Sequence, residues 1–208
     1  MTAVRVKVCG ITSPEDALLA AEAGASAIGL IFWPSSPRFV DRAMARRIVD
    51  ALPSFVLRVG VFVDQSLDML TRTSDDVGLD IIQLHGSERP EMVACLPRRV
   101  LKAIRVGAES VLEEVQQYES AAILLDTKDE QRPGGTGQSF DWRLAQQVRA
   151  KVPFLVLAGG LTTENVAAAI KSVGPDAVDV SSGVESRPGK KDPVKLKGFM
   201  EAVRSVPR

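Results

Sequence analysis

The sequence is poor in cysteine, histidine and long apolar runs, and each shortage removes a class of protein. Its two cysteines, Cys9 and Cys95, lie far apart, and its one histidine is His85. A lone bridge between two such thiols is not expected in a reducing compartment, and three widely spaced ligands do not resemble a metal site. No run approaches the ~18 apolar residues of a membrane span, and the first residues lack the apolar core of a signal peptide. A cytosolic protein with no membrane partner is expected. Charge of one sign is lacking as well: 26 basic residues balance 26 acidic ones. No basic block interleaved with aromatics marks a nucleic-acid stripe. A serine-hydrolase elbow, G-x-S-x-G, and a G-x-G-x-x-G turn after the first strand are also missing.

What is present is an alternation. Short β-branched or leucine-rich runs begin at Val4, Ala27, Phe55, Asp80, Arg99, Ala121, Pro153 and Ala177, and an amphipathic segment follows each. The first such segment, SPEDALLAAEAG, has Ser13 placed as a cap, Pro14 at the first helical position and Gly24 at the stop. Eight βα units with no linker or shift in composition predict one domain over residues 1–208, an α/β fold of the (β/α)8 barrel type. A doubly wound open sheet has the same alternation, but the count of eight and the missing G-x-G-x-x-G turn favour the barrel.

In a barrel the chemistry belongs at the C-terminal strand ends. Those ends hold Cys9, Asp64, Gln83 with His85, Asp126, Gly159 with Gly160, and Asp179 with Ser181 and Ser182. Two connections, Trp33–Val40 and Thr127–Phe140, are longer than a turn requires, carry Arg38, Lys128 and Arg132, and read as lids. "LAGGL" and "DVSSGVE" put consecutive small residues at the seventh and eighth strand ends, where uncapped amides suit a phosphate. One such pair alone would signify no more than a tight turn.

Asp126 ends an apolar run and opens a long loop. A carboxyl partly desolvated there is suited to general acid work, whereas an aspartate at a strand end otherwise caps a turn. Cys9 has two readings as well. Free cysteine is commonly packing, but Lys7 shares its face of the strand, and an ammonium beside a thiol favours thiolate. His85 serves either as a strand-end hydrogen-bonding group or in proton transfer.

The segments KVCGIT, FWPSSPR, VGVFV, IIQLHG, LLDTK with GGTGQSFDW, LAGGLTTENV and AVDVSSGVESRPGKKD follow one another over nearly the whole chain. Together they resemble the phosphoribosylanthranilate isomerase family of tryptophan biosynthesis. The resemblance implies a cofactor-free Amadori rearrangement of a small-molecule substrate, N-(5-phosphoribosyl)anthranilate, to 1-(2-carboxyphenylamino)-1-deoxyribulose 5-phosphate. It further implies Asp126 as general acid, Cys9 as base and Arg38 as the cation for the anthranilate carboxylate. Asp179, Gln83 and His85 would line the sugar, and Gly159, Gly160, Ser181, Ser182 and Gly183 the phosphate. The implied assembly is a monomer or a homodimer. Two other classes compete: a phosphate-binding barrel isomerase built on paired aspartates, against which the thiol speaks, and a ligand-binding α/β domain without catalysis.

Overall fold

The computed structural model describes residues 3–106, 111–118, 121–126 and 142–207. Its elements run β1 (Arg5–Cys9), α1 (Pro14–Ala23), β2 (Ala27–Ile31), α2 (Arg42–Ala51), β3 (Leu57–Phe62), α3 (Leu67–Val77), β4 (Ile81–Leu84) and α4 (Pro90–Cys95). They continue with β5 (Arg99–Arg105), α5 (Val111–Gln116), β6 (Ala122–Asp126), α6 (Trp142–Arg149), β7 (Leu155–Ala158), α7 (Val166–Val173) and β8 (Ala177–Val180). The strands pair in parallel in chain order, and β8 returns to β1, with Lys7 opposite Asp179, to close the barrel. The expected fold is therefore the one present.

The helices begin where short polar side chains can accept from freed backbone amides. The Ser13 hydroxyl accepts from the Asp16 amide at 3.2 Å, and Gly24 ends α1 in the left-handed region at φ 104°. Asp41 and Ser66 cap α2 and α3 in the same way.

Side chains alternate across each strand, so the barrel has two apolar layers. Residues such as Val8, Ile28, Leu30, Ile82 and Leu84 face the helices and form the large core. Leu101, Ala103, Leu124, Val156, Ala158 and Ala177 form a smaller core inside the barrel. Each large side chain fully buried in these layers contributes about 1.5–3 kcal/mol. Continuing the inward set by two residues reaches the C-terminal mouth, where it changes from apolar to polar: Leu124 leads to Asp126, Ala103 to Arg105 and Ala177 to Asp179. That change of character puts the chemistry at one end of the barrel.

Two features depart from the sequence reading or qualify it. Between β8 and the last helix, α8 (Pro193–Arg204), the chain forms a 3-10 turn at Ser182–Val184 and a small hairpin, β9 (Glu185–Arg187) with β10 (Lys190–Lys191). Strands of three and two residues carry too little alternation to be read; the Pro188–Gly189 pair at the bend is their only local trace. The first long connection is folded into turns and bonded back to β2, the Val40 amide donating to the Ile31 carbonyl at 3.0 Å. The second, with Lys128 and Arg132, lies outside the described residues. Among the described residues no helix is long and apolar enough to cross a membrane.

Candidate active site

The strand ends enclose a cavity of about 370 Å³ at the C-terminal mouth. Cys9 from β1, Asp126 from β6 and Asp179 from β8 line it, as do Gln83 and His85 on and just after β4. Arg38 reaches it from the turns after β2, and Gly159, Gly160, Ser181, Ser182 and Gly183 form its wall after β7 and β8. Every residue singled out as a site residue from the sequence thus borders one space. Asp64, the other polar strand end, does not line it: its carboxylate accepts from the Ser87 amide at 2.6 Å and joins two loops.

Cys9 is buried at 7% exposure. Its inward neighbour Lys7 is buried too and donates to Asp179 Oδ1 at 2.9 Å, across the β1–β8 seam. Burial pushes the Cys9 thiol above its ordinary range, and this outweighs the downward pull of the Lys7 ammonium beside it; Asp179 pushes the same way as burial. The ammonium expected from the sequence is present and acts in the expected direction, but it does not prevail. Burial also weighs on Lys7, yet Asp179 and Cys9 together hold its pKa above that of an ordinary lysine.

Across the cavity, Asp126 Oδ2 stands 3.5 Å from His85 Nε2, and His85 Nδ1 lies 2.9 Å from Gln83 Nε2. Gln83 Oε1 is buried with no hydrogen-bond partner among the described residues.

Arg38 meets Glu185 through a two-pronged pair, Nε to Oε1 at 2.8 Å and Nη2 to Oε2 at 2.6 Å. The guanidinium edge best shaped for a carboxylate is therefore occupied by a protein carboxylate. This pairing raises the Arg38 pKa, and with Lys191 it lowers that of Glu185 against the opposing effect of burial.

The wall after β7 and β8 is built of backbone. Gly159 and Gly160 have φ of 92° and 62°, a left-handed pair open to few other residues. At Gly183 a Cβ would stand 2.0 Å from the Leu161 carbonyl oxygen, so the two loops touch and only glycine fits.

Three contributors escaped the sequence reading. Arg105 lines the cavity from the end of β5; counting by two from Ala103 would have found it. Glu185 and Lys191 belong to the hairpin, whose one local trace, Pro188–Gly189, marks the bend and neither side chain.

A closed parallel eight-stranded barrel with acid, thiol and cationic side chains gathered at its C-terminal mouth defines a (β/α)8-barrel enzyme. The family model for N-(5'-phosphoribosyl)anthranilate isomerase matches residues 6–202. The curated protein named N-(5'-phosphoribosyl)anthranilate isomerase from Pelobacter propionicus is 49% identical over 203 residues, covering 98% of this chain and 97% of its own. The crystal structure of phosphoribosyl anthranilate isomerase from Thermotoga maritima superposes with a TM-score of 0.92 at 45% identity, over 98% of this chain and 100% of that one. A further solved isomerase, in complex with reduced 1-(o-carboxyphenylamino)-1-deoxyribulose 5-phosphate, has a TM-score of 0.89 at 43% identity, with coverage of 98% and 100%. The chain belongs to the N-(5'-phosphoribosyl)anthranilate isomerase family. It is an enzyme, an intramolecular isomerase acting on N-(5'-phosphoribosyl)anthranilate in tryptophan biosynthesis.

Proposed function

We propose that this isomerisation runs as an Amadori rearrangement with Asp126 as general acid and Cys9 as general base. The observation that carries the reading is that the two groups border one cavity from strands three apart around the ring. Asp126 delivers its proton to the furanose ring oxygen while the anthranilate nitrogen supplies the electron pair that breaks the C1–O bond. The product is an open-chain iminium. Its positive charge acidifies the C2 proton and, lying beside Cys9, favours the thiolate that burial otherwise disfavours. Cys9 removes the C2 proton, the enolamine tautomerises to the ketose, and proton exchange returns both groups to their starting forms. No cofactor enters these steps.

The remaining assignments follow from chemistry on the same walls. Gln83, His85 and Asp179 line the sugar from the cavity walls. The amides of Gly159, Gly160, Ser182 and Gly183, with Ser181 alongside, receive the phosphate. Arg38 receives the anthranilate carboxylate on the side that Glu185 leaves open. The assembly is a monomer or a homodimer, and a solved relative from Thermotoga maritima is described as dimeric; sedimentation distinguishes the two.

The fluorescence of phosphoribosylanthranilate, followed as it is consumed, tests the assignment. Cys9→Ser and Asp126→Asn are each expected to lose about 10²- to 10⁴-fold in kcat while still binding the reduced product. Near-normal turnover in either variant refutes the role given to that residue.

A further inference from the structure

Lys191 lies beneath the site in the β9–β10 hairpin and is 2% exposed. Its Nζ is 2.7 Å from the Cys9 carbonyl oxygen, 2.8 Å from Glu185 Oε1 and 3.3 Å from the Ser181 carbonyl oxygen. Three acceptors around one nitrogen use the three hydrogens of an ammonium, whereas a neutral amine has two to give. The cage fits the charged form, and Glu185 supports it against burial, which pulls the Lys191 pKa below that of an ordinary lysine. Glu185, on the other side, holds Arg38 through both carboxylate oxygens. Two cations and one anion are thus joined in a single cluster, Lys191 and Glu185 buried and Arg38 partly exposed, with a net charge of +1.

Apart from the Cys9 thiol, whose pKa Lys191 also lowers, the surrounding charges cancel or face water. Lys190 pairs with Asp16, and Lys7 with Asp179. Lys195 is exposed and donates to the Glu185 backbone carbonyl at 2.8 Å. Without Lys191, Arg38 would be neutralised by the carboxylate that orients it.

We propose that Lys191 is a substrate-positioning residue that acts through Arg38: its charge offsets Glu185, so the cluster remains a net cation toward the anthranilate carboxylate. The inference rests on the reading of Arg38 given above. Glu185 fixes the direction of the guanidinium, and Lys191 restores the charge that this orientation costs.

The test uses two competitive inhibitors, the reduced product and its analogue lacking the aromatic carboxylate. Lys191→Met keeps the side-chain length and removes the charge. It is expected to weaken the carboxylated inhibitor, and raise KM, at least tenfold, the effect of a unit charge about 12 Å away at an effective dielectric of about 20. The analogue should be little affected, a split that a purely structural role does not produce. Lys191→Met/Glu185→Gln leaves Arg38 alone as the cluster's charge, again +1, and is expected to recover most of the affinity. Equal losses for both inhibitors, or a double variant as weak as the single one, overturn the proposal.

Should Lys191→Met not fold, the double variant decides, since replacing both partners of a buried pair is tolerated better than breaking it. Near-normal affinity for the carboxylated inhibitor then supports the proposal, and tenfold-weaker binding overturns it. Arg38→Met separates this inference from the reading beneath it. If that variant does not discriminate between the inhibitors, the role of Arg38 falls; if it does and Lys191→Met does not, only the role of Lys191 falls.

Discussion

Cys9 and Gly29 face each other across β1 and β2, and a Cβ on Gly29 would stand 2.7 Å from the Cys9 sulfur. The missing side chain is the space the thiol occupies. With Cys9 as the proposed base, Gly29→Ala displaces the sulfur from the C2 proton, and a displacement of about 1 Å costs roughly 10²-fold in rate. The expected result is a kcat lower by about that factor with inhibitor affinity retained, at an overpacking cost of about 1–3 kcal/mol in a denaturant melt. An unchanged kcat would remove Gly29 from the placement of the base.

Lys7 lowers the Cys9 pKa while burial raises it. Lys7→Met removes the downward influence, so the pH midpoint for alkylation of Cys9 by a small reagent is expected to move upward, and the rate at neutral pH to fall. Stability is coupled to the same thiol. Because its folded pKa is raised, the native state holds a proton that the unfolded chain releases near pH 8.5. Wild-type stability is expected to decline as pH rises past that value, a decline that Cys9→Ser should lack in paired denaturant titrations.

At Gly183 the obstacle to a side chain is backbone, the Leu161 carbonyl oxygen, which cannot rotate away. Gly183→Ala is expected to separate the loops after β7 and β8. Inhibition by inorganic phosphate should weaken about tenfold, the consequence of losing about 1.4 kcal/mol of amide contact. Unaltered phosphate inhibition would place the anion elsewhere.

A second buried pair governs stability instead of chemistry. Lys102 and Glu88 are each 1% exposed in their side chains and 3.0 Å apart; Lys102 also donates to the Gly86 carbonyl, and Glu88 accepts from the Asp64 and Gly86 amides. Lys102→Met strands a buried carboxylate and is expected to cost about 3–5 kcal/mol, while Lys102→Met/Glu88→Gln should recover part of that loss. Thermal melts of the two variants check the order.

The candidate site was legible in the sequence to the extent that its members lie at strand ends. Asp126 follows Leu124 by two, Asp179 follows Ala177 by two, and His85 follows Gln83 by two, so periodicity alone points them into the barrel. Arg105 obeys the same rule but stands one residue past the apolar run that ends at Ile104, where the alternation no longer marks a strand. Glu185 and Lys191 were not legible, since a hairpin with strands of three and two residues has no periodicity to detect.

The order of residues by itself determined the alternation of strands and helices, the caps at Ser13, Asp41 and Ser66, and the placement of polar groups at one end of the inward-facing rows. These depend on neighbours within a few positions, which the chain carries in its own order. The tertiary structure alone decided which distant charges meet: Lys7 with Asp179, 172 positions apart, Arg38 with Glu185, 147 apart, and Lys191 with the Cys9 carbonyl, 182 apart. Barrel closure brings the first strand against the last and seats the hairpin beneath both. The state of the Cys9 thiol belongs to this second group, because burial and opposing charges from β1, β8 and β10 act on it together, and no local stretch of sequence contains their balance.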